Sequence, residues 1–188
     1  MISGNYIAHR KIPVIHFACI SSFDPSAEKN CEELLNQALQ LSPKNPEALQ
    51  SLASVRLSQS RPDEAKDALS LSYIAWKDLD PSDSSVPPIP TRLALAKLFI
   101  EVGMFRDALG VLNGVMANDD QEVEAWYLEG WCFFLMAEEA KMGGVKVKEK
   151  VDEIPWEDLA KDARDCLETC QMVRNLSEFI LLTWLTGG

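Results

Sequence analysis

Histidine is scarce in this chain: only His9 and His16 occur, and no GxGxxG, Walker loop, HExxH pair or plausible Ser, His and Asp set accompanies them. The chain is therefore expected to be no enzyme and to need no cofactor. It has five cysteines, Cys19, Cys31, Cys132, Cys166 and Cys170, an odd number without a CxxC pair. They read as small buried hydrophobes in a reducing compartment. Cys166 and Cys170 share one helix, but a closed zinc site needs about four ligands and both histidines lie far off, so no metal is expected. Cys132 sits between aromatics and reads as buried rather than as a nucleophile.

Long apolar runs are also lacking. The stretch from Phe179 to Leu185 is far short of the ~20 residues that cross a bilayer. IPVIHFACI after His9, Arg10 and Lys11 loosely resembles a signal peptide, but Pro13 and His16 interrupt it, and secretion is not expected. Basic residues are outnumbered, 18 against 29 acidic ones, giving a formal charge of −11 and a pI near 4.6. Direct binding of DNA or RNA is disfavoured, because phosphate recognition uses clustered Lys and Arg. The acidity suits a basic partner, or solubility alone.

What the chain does have is helical periodicity. Residues 1–25 contain Gly4, Pro13 and Pro25 and read as irregular, with a short apolar helix from Val14 to Ser22 at most. From Ser26, a candidate N-cap, Cys31, Leu34, Leu35, Ala38, Leu39 and Leu41 form an apolar stripe. Asn45-Pro46-Glu47 and Arg61-Pro62-Asp63-Glu64 restart helices with proline in the first turn and acids beside it. The proline-rich segment at 80–90 is a loop. Thr91 to Glu101 and Arg106 to Met116 form the next pair, divided at Gly103. A charged, glycine-containing loop is expected at 138–155, a helix from Pro155 to about Val173, and a separate apolar segment at 176–188.

The helices repeat at a fixed interval. Cys31 to Ala65 spans 34 residues and Ala96 to Gly130 again 34, while Ala53 to Ala96 and Ala65 to Ala108 each span 43. The nine extra residues match the proline-rich loop. Within a pair, Ala53 precedes Ala65 by 12, as Ala96 precedes Ala108. For the last pair Gly130 to Ala163 is 33, so the second loop inserts 21. Such a return of small residues, where paired helices touch, predicts an all-α tetratricopeptide-repeat solenoid of about three and a half to four helix pairs over residues 26–175. Ala53, Ala65, Ala96, Ala108, Trp126, Gly130, Phe133 and Ala163 are its structural positions.

The most informative stretch is VEAWYLEGWCFFLM, Val123 to Met136, in a region from Asp107 to Ala140 that has eight acids and no Lys or Arg. Trp126, Gly130 and Phe133 share one side of this helix; Tyr127, Trp131 and Phe134 share another. First helices of such arrays line the concave face. The candidate partner-binding residues are accordingly Glu101, Glu124, Tyr127, Glu129, Trp131 and Glu138, the aromatics stacking on Arg or Lys chains and the acids supplying charge. Packing against a neighbouring repeat is the competing reading for Trp131 and Phe134.

The run from Pro46 to Leu79, then from Val86 to Leu135 with its DDQEVEAWYLEGWC segment, resembles the fungal tetratricopeptide chaperones dedicated to assembly of the fourth large-subunit ribosomal protein. The resemblance covers about residues 26–173; both ends depart from the family's pattern. It implies a non-enzymatic chaperone, cytoplasmic and nuclear, that holds the long basic internal loop of that ribosomal protein in a concave groove without touching nucleic acid or membrane. A basic extension is disordered alone, and an acidic groove would neutralise it. A generic tetratricopeptide scaffold or co-chaperone that docks an acidic C-terminal peptide is the alternative. That docking wants a cationic clamp, and Lys97 is the only basic residue placed in the groove.

Overall fold

In the computed structural model, which describes residues 25–142 and 154–186, every regular element is a helix. These are α1 (Pro25–Leu41), α2 (Pro46–Ser58), α3 (Pro62–Ile74), α4 (Ile89–Glu101), α5 (Phe105–Asn118), α6 (Val123–Lys141) and α7 (Trp156–Thr186). The irregular segment and short helix expected within 1–24, and most of the 138–155 loop, lie outside the described residues.

The helix starts follow from local chemistry. Asn45 Oδ1 accepts from Ala48 N–H at 2.9 Å, and Pro46 fills a first-turn position that needs no donor. Gly103 ends the turn after α4 with φ of 77°, a region other residues enter only with strain. Several boundaries differ from the sequence expectation. α1 begins at Pro25, so Ser26 lies within it. α4 takes in Pro90, tolerated because first-turn N–H groups are orphans anyway. α6 runs to Lys141, through good helix formers and a cation suited to a helix C-terminus. α7 is continuous to Thr186, with no Pro or Gly between Trp156 and Thr186 to divide it.

The pairs α2–α3, α4–α5 and α6–α7 pack closely, and α1 packs on α2. Ala53, Ala65, Ala96 and Ala108 are wholly buried, and Gly130 and Ala163 are buried where α6 meets α7. Phe99, Leu69, Leu95, Leu112 and Leu128 fill the volume between pairs. This is a tetratricopeptide-type arrangement, in which small residues permit close approach and large ones supply buried area.

Equivalent positions also make equivalent bonds. Ser72 Oγ donates to Pro46 O at 3.0 Å across the first of these pairs, and Cys170 Sγ to Val123 O at 3.5 Å across the last. Ser72→Ala would leave the Pro46 carbonyl short of a donor inside the pair. A loss of about 1 kcal/mol in urea unfolding is expected, and an unchanged midpoint would refute that role for the bond.

Candidate partner-binding surface

Curvature decides which face can hold a ligand. Among the described residues the backbone of α2 approaches that of α4 and α4 that of α6, whereas the backbones of α3 and α5, and of α5 and α7, stay farther apart, α3 meeting α5 through the Tyr73 side chain at Gly110. The first helices are thus crowded together and the second helices splayed. The concave side is the layer α2, α4, α6.

On α6 the residues Glu124, Tyr127, Trp131 and Glu138 recur at spacings of three, four and seven, one stripe of the helix. Its direction is fixed by an ion pair: Lys97 Nζ on α4 lies 2.6 Å from Glu124 Oε1. The stripe therefore looks along the neighbouring first helix. Tyr127 is 44% exposed, enough for a ring face to meet a ligand. Trp131 is half-buried against the core and stacked on Phe134, with centroids 5.4 Å apart and planes at 26°. Trp131 is thus engaged mainly in packing, its indole Nε1 buried, while Phe134 turns toward a shallow cavity of about 320 Å³ bordered by Ala163, Leu167 and Gln171 of α7. Glu101 is exposed and Glu138 half-exposed. No cation among the described residues pairs with either.

Glu129 does not belong to this surface. It is only 7% exposed, and its Oε2 accepts from Cys166 Sγ at 3.4 Å across the α6–α7 contact. Burial holds its carboxyl above the ordinary value; the Cys166 thiol opposes that rise, and Asp162 adds to it. Register is the physical reason for its position. Glu129 stands one residue before Gly130, as Leu52 stands before Ala53 and Leu95 before Ala96, and both leucines are buried. The same repeat interval that locates Gly130 locates Glu129 in the core.

Trp126 and Phe133 are half-buried rather than enclosed. Trp126 Nε1 donates to Asp120 O at 2.8 Å and ties the α5–α6 turn to α6. Two buried thiols are the reverse of reactive: burial first, then the charge of Glu129, pushes Cys132 and Cys166 up to about 12. Among the described residues no group of three or more His, Cys, Asp or Glu is placed to hold a metal ion, and no helix is long and apolar enough to cross a membrane.

No family model matches the chain. A protein of Emericella nidulans described as a probable assembly chaperone of rpl4 is 51% identical over 121 residues, 64% of this chain and 32% of the relative. A Schizosaccharomyces pombe protein of the same description is 38% identical over 131 residues, 69% of this chain and 39% of the relative. The solved structure of an assembly chaperone of RpL4 (Acl4, residues 1–338) superposes with a TM-score of 0.63 at 41% identity, over 65% of this chain and 43% of that one. The chain spans about a third to two-fifths of the length of these curated relatives.

Proposed function

We propose, from the premise that this chain shares its helical repeats with the fungal assembly chaperones of rpl4, that it binds newly made rpl4, the fourth protein of the large ribosomal subunit. The similarity of the repeat segment to those chaperones carries the reading. The ligand segment is a basic, extended internal loop laid along α2, α4 and α6. The exposed ring of Tyr127, with half-buried Trp131 one turn on, stacks on its Arg and Lys side chains, and Glu101, Glu124 and Glu138 supply counter-charge. The role is one of holding and escort from cytoplasm to nucleus for ribosome assembly, with no chemistry, cofactor or direct nucleic acid contact. A co-chaperone clamp for acidic peptide termini is disfavoured, because Lys97 is already paired with Glu124.

The test is retention of rpl4 by the purified chain across a salt series. Retention at low salt that falls steeply as salt rises is expected. Tyr127→Ala, at an exposed position, should weaken binding about ten-fold without altering thermal unfolding. Failure of the unmodified chain to retain rpl4 at low salt would sink the proposal.

A further inference from the structure

Four cations sit on the first helices: Arg56, Arg92, Lys97 and Lys141. Three of them turn away from the concave layer. Arg56 approaches Glu32 of α1 and Glu64 of α3, Arg92 Nη1 donates to Gly114 O of α5, and Lys141 lies over the Trp156 ring of α7. Lys97 alone bridges one first helix to the next, and it occupies the carboxylate of Glu124, one turn before Tyr127 on α6. We propose that Lys97 is an internal competitor for the cationic side chain of a ligand at Glu124, setting how basic a segment must be before it is bound.

The inference rests on the basic-segment reading above and adds a residue to it. Lys97 and Glu124 side chains are 31% and 45% exposed, so the pair is open to water and to exchange. Exposed pairs hold little net free energy. An incoming Lys or Arg meets Glu124 with Tyr127 one turn beyond it to receive the side chain stem or guanidinium face. The displaced Lys97 ammonium has Glu101, four residues on along α4 and exposed, within helical reach. The exchange therefore trades one ion pair for two and strands no charge. A neutral or weakly basic segment gains nothing from it and leaves Lys97 in place.

The test is binding of a labelled, unstructured peptide of alternating Lys and Gly to the full chain at low and high salt. Lys97→Met keeps the stem and removes the charge. It should bind about three- to ten-fold tighter at low salt, with the gain fading as salt rises. In a Glu124→Gln background the same change should bring no gain, since the contested acceptor is gone. Binding by the unmodified chain with no gain in Lys97→Met, or a gain that persists with Glu124→Gln, overturns the inference while leaving the proposed function standing. No peptide binding by either protein removes the basic-segment reading, and the inference with it.

Discussion

Gly130→Leu is expected to separate α7 from α6 while α2 to α5 stay folded. A Cβ at Gly130 would lie 2.8 Å from Leu167 Cγ and 3.0 Å from the Ala163 carbonyl oxygen. Leu167 is 40% exposed and can swing aside; the backbone of Ala163 cannot move without shifting α7. Overpacking of this kind costs typically 1–3 kcal/mol, and a leucine placed against backbone belongs at or above the upper end, about 3 kcal/mol. Among the described residues the helix that packs closely on α7 is α6, so most of the penalty falls on that contact. Amide hydrogen exchange should show protection in α7 falling by about a hundred-fold, with α4 and α5 little changed. Gly130→Ala is the graded control, because alanine's helix propensity, worth about 1 kcal/mol over glycine, offsets part of the clash. Unchanged α7 exchange in Gly130→Leu would show that the helices do not depend on close approach there.

Glu129→Gln should make the protein more stable at neutral pH and should flatten part of its pH dependence. The carboxyl is held above its ordinary value by burial, so the fold favours its protonated form. The proton's contribution is fully present below the unfolded-state value and is lost as pH rises through the raised folded value. The glutamine, a neutral mimic that keeps an oxygen for the Cys166 thiol, loses nothing over that range. The two proteins should match in acid and diverge as pH climbs past the ordinary glutamate range, reaching about 1–2 kcal/mol at pH 7. Urea unfolding of both proteins from about pH 4 to 8 measures the difference, which cancels the repulsion common to both acidic chains. Parallel curves would refute the buried-carboxyl account. Glu129→Leu, restoring the residue type of Leu52 and Leu95, should stabilise as well. Neither change should weaken retention of rpl4, since Glu129 faces α7 rather than the concave layer.

The two predictions concern neighbouring residues that the linear sequence treats very differently. Gly130 is legible because its role is a matter of size at a fixed interval, and the interval can be counted. Glu129 lies in the same count, one residue earlier, yet a carboxylate ordinarily belongs at the surface and its charge outweighed its register. Only the position of Cys166, which is 37 residues away and across a loop, shows that the carboxyl has a buried donor. Lys97 is a third case. Its place on a first helix is plain from the sequence, but its partner Glu124 lies 27 residues on, and the pairing depends on how far α4 and α6 rotate toward each other.

The continuity of α7 is likewise a local matter: the change from polar to apolar composition near its end suggests a boundary that no Pro or Gly enforces. The sequence by itself determined the helical class, the pairing of helices and the small residues at their contacts, because periodicity and side-chain volume act within one or two turns. Tertiary structure alone decided the curvature, the direction of the aromatic stripe, the burial of Glu129 and the capture of Glu124 by Lys97. Each of those depends on the packing angle between successive helix pairs, which is set by the summed fit of many side chains and is written in no single stretch.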